Sequence, residues 1–198
     1  MQEVYSRVSI NLRGKIMDKR IIRTVSKIKQ NFIALLHEED FSKITVKMIC
    51  EKSKIERKTF YLHFKDKYQL LDVVIEDRID AFRNQIRLMP NATPADFYKE
   101  ALDFYDRHND IFKKIYNDRG SVQVRKKIQL YMLHRFEERY GKDNDPTFMN
   151  FAAAGISGVF EAYVNGELKE DKQKIAQDIA ELISIVKEHL DRNNKKND

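Results

Sequence analysis

Residues 44–71 read ITVKMICEKSKIERKTFYLHFKDKYQLL, and this stretch decides the fold. Thr45 is a residue type that caps a helix. Val46, Ile49 and Cys50 then make the inner face of a short helix that ends near Ser53-Lys54-Ile55. A second short helix is expected from Glu56 to about Phe64, with Phe60 and Phe64 one turn apart on its inner side. Asp66 caps a long helix carrying Leu70, Leu71, Val74, Ile75, Ile79, Phe82 and Ile86, which Pro90 ends. Before this stretch, from Asp18, the apolar residues Ile21, Ile22, Val25, Ile28, Phe32, Leu35 and Leu36 recur at spacings of three and four, the mark of one buried helical face. A supporting helix followed by two short helices across a tight turn is the helix-turn-helix arrangement.

The charge follows the same division. Residues 1–65 hold 15 Lys and Arg against 7 Asp and Glu, whereas residues 66–198 hold 22 against 24. A basic third on a nearly neutral body suggests a polyanion-binding module, although a solvated lysine-rich surface would show the same balance. An α-helix fits the major groove of DNA, and the side chains at its N-terminus reach base edges. The second short helix opens with Arg57, Lys58 and Thr59, residue types suited to that end. Arginine can pair bidentately with guanine, a contact worth about 1–3 kcal/mol of discrimination. Thr45 stands at a helix N-terminus, which favours a phosphate, and Lys67 stands where it could grip the DNA backbone. Residues 1–17 lack periodicity, carry Arg7, Arg13 and Lys15, and read as a mobile basic arm; Met17 offers an alternative start.

This stretch resembles the DNA-binding domain of TetR-type transcriptional regulators (the TetR/AcrR family). Thr45 matches the family's capping threonine, Ile49 and Cys50 its buried pair, and Ile55 the apolar residue after the turn. Thr59, Phe60, Tyr61, His63 and Phe64 reproduce its aromatic run, and Lys67 and Leu70 match the opening of its fourth helix. The resemblance covers Asp18 to Leu71. It implies base contacts from Arg57, Lys58, Thr59, Tyr61 and Leu62, and phosphate contacts from Thr45, Tyr61, His63 and Lys67. One position departs from the pattern. The family usually places glycine in the turn, which needs a positive φ; here the residue is Lys54, at a cost of about 1 kcal/mol and with an added charge near the DNA.

The remaining two thirds read as helical throughout. Thr93-Pro94 opens a helix containing Phe97, Ala101, Phe104 and Tyr105, and a short piece runs from about Ile111 to Tyr116. Gly120-Ser121 breaks the chain before a helix from Val122 to Tyr140. Asp145-Pro146 opens a further helix that ends at Asn165-Gly166. Asp171 caps the last, with Ile175, Ile179, Leu182, Ile183, Val186 and Leu190 inward. The fold class is all-α with about nine helices. The domains are expected at 18–66 (helix-turn-helix) and 67–191 (ligand-binding and dimerisation), with an arm at 1–17 and a polar tail at 192–198.

Small residues, among them Gly155 and Gly158, crowd the helix from Phe148 to Val164 and allow close approach of another helix, within the chain or from a second copy. This region resembles the dimerising four-helix bundle of a TetR-type subgroup common in Gram-positive bacteria. A homodimer would then use Phe151, Gly155, Gly158, Val159, Ile179 and Ile183. A dimer would also double the base contacts, at half-sites about 34–36 Å apart. Aromatic residues are dense between 97 and 148; most are core, but some could line an apolar cavity. The resemblance implies a small-molecule effector site in this body without carrying residues over, and the aromatic cluster itself offers Tyr105, His108 and Tyr131 as candidate ligand residues.

Composition narrows the alternatives. Three prolines and six glycines are too few for the turns of a β-sandwich. The single cysteine, Cys50, excludes a disulfide framework and a multi-cysteine zinc site. The five histidines are dispersed without metal-ligand spacing, and no phosphate loop, HExxH or GxSxG motif is present, so neither metal, cofactor nor enzymatic activity is expected. No secretory or membrane-spanning segment is evident, which fits a cytoplasmic protein. The expected function is a homodimeric regulator, most simply a repressor. It would bind double-stranded DNA at a palindromic operator and answer to a small-molecule effector. A regulator controlled by a protein partner and a helical enzyme without a recognisable motif are the alternatives.

Overall fold

The computed structural model describes residues 19–117, 122–141 and 145–194. The expected arm, the Gly120-Ser121 break and the end of the tail lie outside them. Among the described residues there are nine helices and no strand. In chain order they are α1 Lys19–Glu38, α2 Val46–Ser53, α3 Arg57–Tyr61, α4 Lys67–Arg87, α5 Pro94–Arg107, α6 Asn109–Asn117, α7 Val122–Tyr140, α8 Pro146–Val164 and α9 Lys172–Asn194. The chain forms two compact units, Met1–Asn84 and Gln85–Asp198.

In the first unit, α2 packs on α1 and α3 on α2. The apolar stripe of α1 is buried at Ile28, Phe32, Leu35 and Leu36, while Ile21 is exposed and Ile22 and Val25 are half-buried. An eight-residue helix is about 12 Å long and a twenty-residue helix about 30 Å, so α2 covers only part of α1. Edge-to-face ring pairs continue the core from Phe32 to Phe41 and from Phe41 to Tyr68. The second short helix is shorter than expected. It closes at Tyr61, and a tight turn in which the His63 and Phe64 N–H groups both donate to the Phe60 carbonyl carries the chain onward. Phe60 and Phe64 nevertheless lie together in the core, ring centroids 5.7 Å apart. Asp66 caps α4, its carboxylate accepting from the Gln69 N–H at 2.8 Å. The division between the units falls at Asn84 rather than at residue 66, because the early turns of α4 belong to this core. Leu70, Leu71, Val74 and Ile75 are buried, and Asp77 pairs with Lys29 of α1 at 2.6 Å.

In the second unit, the helix starts are fixed by side chains as the sequence predicts. Thr93 and Asp96 form a reciprocal capping box with Pro94 in the first turn of α5. Asp145 caps α8 ahead of Pro146, and Asp171 caps α9 by accepting from the Lys174 N–H. α5 packs along α9, and α7 along α8. Ile175, Ile179 and Ile183 form the buried stripe of α9 at spacings of four. Leu182, expected inward, is 60% exposed. It is one residue, hence about 100°, from Ile183, and α9 is covered on one side only. Val186 is half-buried, and the Leu190 side chain lies outside the described residues.

Candidate nucleic-acid interface

The helix-turn-helix is built from backbone chemistry outward. Thr45 adopts an extended conformation (φ −116°, ψ 155°), and its hydroxyl oxygen accepts from the Met48 N–H at 3.2 Å. The hydroxyl proton remains available for donation from an exposed position. α2 ends at Lys54, whose φ of 50° and ψ of 53° are left-handed. Its N–H donates to the carbonyls of Cys50 and Glu51, and the Ile55 N–H returns to the Cys50 carbonyl. Lys54 is the one non-glycine residue with positive φ among the described residues. The turn therefore has the geometry that glycine would serve, and a lysine there costs about 1 kcal/mol. Glu56 sits extended at the N-cap of α3, so that Arg57 and Lys58 occupy the first turn.

Burial separates the inner from the outer side of this element. Ile49, Cys50, Ser53, Phe60 and Phe64 are buried. Burial also raises the Cys50 thiol pKa, which leaves Cys50 a packing residue. Arg57 and Lys58 are exposed, Tyr61 is 56% and Leu62 73% exposed, and Thr59 and His63 are half-buried. The Tyr61 ring is braced edge-to-face on Phe60, 5.5 Å between centroids. Two large apolar surfaces left in water at the end of a five-residue helix, beside two cations, make a surface suited to a groove rather than to solvent.

The cations of this unit fall into two sets. Lys43 pairs with Asp40 at 2.9 Å, Lys47 with Glu51 at 3.8 Å and Lys52 with Glu38 at 2.7 Å. Lys54, Arg57, Lys58 and Lys65 form no ion pair among the described residues. Lys67 reaches back onto the turn before α2. Its ammonium donates to the carbonyls of Phe41 at 2.8 Å, Ser42 at 3.0 Å and Ile44 at 2.8 Å. It also stands 4.6 Å from the centre of the Phe41 ring.

The body residues named from the sequence lie apart in environment. Tyr105 and Tyr131 are buried, and His108 is half-buried at the end of α5 with its ring edge-on to Phe104 at 4.8 Å. The Tyr105 hydroxyl lies 3.4 Å from that of Tyr116, which sequence reasoning did not select. Arg125 hydrogen-bonds the Tyr116 carbonyl and lies 3.5 Å from Glu161. Burial raises the Tyr105 phenol well above its ordinary pKa and pushes Tyr116 to about 12. Of the residues expected at a dimer face, Phe151, Gly155 and Gly158 are exposed and Val159 is half-buried, whereas Ile179 and Ile183 pack inside the unit. Among the described residues no group of three or more His, Cys, Asp or Glu could hold a metal ion. Nor is any helix among them long and apolar enough to cross a membrane.

Residues 33–74 match the family model described as bacterial regulatory proteins, tetR family. A curated relative, the uncharacterized HTH-type transcriptional regulator YxbF of Bacillus subtilis (strain 168), is 31% identical over 100 residues. That match takes in 46% of this chain but only 26% of the relative, about a quarter of its length. Among solved structures, a TetR transcriptional regulator from Streptococcus agalactiae 2603V superposes with a TM-score of 0.61 at 22% identity, covering 84% of this chain and 96% of that one. The dihydroxyacetone kinase operon activator DhaS gives 0.57 at 17% identity, with 86% and 97% covered. The TetR family repressor AlkX from Dietzia gives 0.56 at 13% identity, with 83% and 97% covered. These likenesses establish the fold of both units. The match at residues 33–74 makes the helix-turn-helix segment similar to that of the tetR family of bacterial regulatory proteins.

Proposed function

We propose that the chain is a transcriptional regulator that lays α3 in the major groove of a palindromic operator, as a homodimer, and represses until a small-molecule effector alters it. The observation that carries the reading is the left-handed turn at Lys54 leading into an exposed, unneutralised Arg57-Lys58 pair with Tyr61 and Leu62 beside it. Arg57 and Lys58 are the base-reading candidates, with Thr59 and Leu62 at their flank. Thr45, Tyr61 and His63 hold phosphates. The partner is double-stranded DNA, and the site of action is the cytoplasm, where the chromosome lies.

Self-association is supported by the outer side of the last two helices. Phe151 is 72%, Leu182 60% and Ile185 56% exposed. A methyl group built at Gly155 or Gly158 meets no atom within 4 Å, so packing inside one copy does not require glycine at either place. The face therefore comprises Phe151, Gly155, Gly158 and Val159 with Leu182 and Ile185, while Ile179 and Ile183 support it from behind. An effector would be received in the aromatic interior around Tyr105, Tyr116 and Tyr131, with His108 at its edge. Its leverage on DNA binding equals its differential affinity for two states of the dimer, typically about 1–3 kcal/mol.

The test is selection of bound fragments from the host genome by the full chain, followed by binding measurements on the enriched sequence. An inverted repeat is expected, with Arg57→Ala relaxing preference at one position per half-site. Fragments enriched without any common sequence would overturn the operator reading. A reporter placed behind the enriched fragment then reads repression or activation by its sign.

A further inference from the structure

We propose that Arg125, with Ser157 and the Tyr105 and Tyr116 hydroxyls, receives the carboxylate of a small organic acid with an apolar body, and that Glu161 holds the guanidinium until that acid replaces it. This rests on the proposal that the second unit receives an effector, and it gives that effector its chemical class.

The site is a polar stripe in an apolar unit. Ser157, Glu161 and Asn165 stand four residues apart on α8, hence on one side of it. Ser157 Oγ and Asn165 Oδ1 are buried with no hydrogen-bond partner among the described residues, and so is Arg125 Nε of α7. A buried polar atom left without a partner is destabilising, and three of them here surround one ion pair. The pair itself is loose. Arg125 lies 3.5 Å from Glu161, whereas Arg107 lies 2.7 Å from Glu100 and Arg135 2.9 Å from Glu138. The Tyr116 hydroxyl is within reach of both charges: burial is the main cause of its raised pKa, and Glu161 and Arg125 act on it with opposite signs. The Tyr105 hydroxyl lies 3.4 Å from it, at the long limit of a hydrogen bond, so each can take a better partner. Rings enclose the rest. Tyr105 meets Phe112 at 4.4 Å and Phe160 at 5.2 Å, and Phe160 is three residues from Ser157.

These groups select the ligand. Arginine binds a carboxylate as a fork, two parallel N–H donors on two oxygens, and Nε is one tine of it. A terminal nitrogen of Arg125 donates to the Tyr116 carbonyl, which fixes the plane of the guanidinium. Glu161 makes only its single long contact with that same nitrogen, and a carboxylate bound also through Nε would replace it with two short bonds. The Ser157 and tyrosine hydroxyls can donate to the same anion. Asn165 Oδ1 can only accept, so the place of the carboxylate is on the Ser157 side of Glu161, toward Tyr105 and Phe160. The Glu161 side chain is 31% exposed and can turn to water when the acid arrives. A cation would face the guanidinium, and a wholly apolar molecule would leave the buried polar atoms without partners.

The experiment titrates the full chain with the sodium salts of benzoic, phenylacetic, hexanoic and octanoic acids, each beside its primary amide, by calorimetry and by the thermal midpoint of unfolding. At least one acid is expected to bind once per protomer and to raise the midpoint, with its amide about tenfold weaker. Arg125→Met and Arg125→Lys should both lose most of this affinity, since an ammonium has no fork. Glu161→Gln should instead tighten binding several-fold, because it removes the competing anion. An ion pair that served structure alone would make the variants of its two members weaken together, so the opposite signs are the readout. Should Arg125→Met fail to fold, Glu161→Gln and the comparison of acid with amide decide by themselves. Binding by none of the four acids, amides that equal their acids, or a Glu161→Gln chain that binds more weakly overturns the site. The acid that binds is then added to the chain on its enriched DNA fragment, where a changed affinity is expected. An acid that binds as described and leaves DNA affinity unaltered keeps the site and overturns the effector reading, a different outcome from the others.

Discussion

The two units place their cations differently. In the helix-turn-helix unit, Lys54, Arg57, Lys58 and Lys65 stand on α3 and the turns that flank it without a described carboxylate partner. In the second unit, Lys172 is clasped by Asp103 and Asp106, Lys99 by Asp103 at 2.7 Å, Arg107 by Glu100 at 2.7 Å, and Arg135 by Glu138 at 2.9 Å. The Tyr163 hydroxyl donates to Asp106 at 2.8 Å, which extends the clasp from α5 to α8. Both units carry ion pairs, but the run from Lys54 to Lys65 leaves four cations in water, a placement suited to a polyanion. The contrast explains how a chain with a formal charge of only +6 can carry a strongly basic third.

The largest break in this contrast is expected from Phe60→Ala. Phe60 is fully buried, meets Tyr61 and Phe64, and carries α3 on its inner side. Removing a buried phenylalanine costs about 3–5 kcal/mol, a large part of the stability of a unit this size. Denaturant titration should show early unfolding of the first unit and complete loss of DNA binding. Full DNA affinity in the variant would mean that α3 is held by something other than this ring cluster.

Exchanging charge between the units sharpens the comparison next. Arg57→Ala with Lys58→Ala should weaken operator binding about 10- to 100-fold, the range expected for loss of base contacts from the head of α3. Arg135→Ala with Lys174→Ala removes the same formal charge from the second unit and should leave affinity within about twofold, since those cations already have partners and lie in the other unit. Equal losses in the two double variants would show that net charge, not its placement, governs binding.

A smaller effect is expected inside the second unit, where polar groups are buried rather than displayed. Tyr116→Phe leaves the Tyr105 hydroxyl without the oxygen 3.4 Å away, which costs on the order of 1 kcal/mol. The phenols of Tyr105 and Tyr116 are raised by burial, the latter to about 12. A group with a raised folded pKa gives stability that is complete below its ordinary value of 10 and fades as pH rises beyond it. The native chain should therefore lose stability above pH 10, and Tyr116→Phe should lose less of it over that interval. Identical alkaline profiles would contradict a closed aromatic interior.

What was legible in the sequence was local. Thr45, Thr93-Pro94, Asp145-Pro146 and Asp171 announce helix starts because each side chain meets a backbone N–H two or three residues away. The run from Thr59 to Phe64 specified which side of α3 is buried, and the glycine that the family pattern places in the turn implied a positive φ at residue 54. What failed was non-local. No spacing tells that the ammonium of Lys67 reaches back 23 to 26 residues to three carbonyls. Nor does the pattern of α9 say which of Leu182 and Ile183 is covered, because only the neighbouring helix decides that. The Tyr105–Tyr116 pair escaped for the same reason: the sequence offers Tyr105 as a candidate ligand residue and not Tyr116, and only the turn between α5 and α6 brings their hydroxyls together.

The finest test concerns the clasp that sets the second unit apart. Asp103 is held below its ordinary pKa of 3.8, first by the hydrogen bond from Lys172 and then by that from Lys99. A carboxylate with a depressed folded pKa gives stability that is present above its ordinary value and lost as pH falls through the lower one. Acidification from pH 3.8 downward should therefore loosen α9 from α5, and Asp103→Asn should remove that acid-dependent part while lowering stability at neutral pH. Lys172 connects the same residue to Asp106, so Lys172→Met should flatten the acid profile as well. Salt should weaken the clasp only modestly, because the Asp103 side chain is 21% exposed and its two ammonium partners already displace water from it. If native protein and Asp103→Asn unfold along parallel curves on the acid side, the clasp is a surface decoration, and α9 is held by Ile175, Ile179 and Ile183 alone.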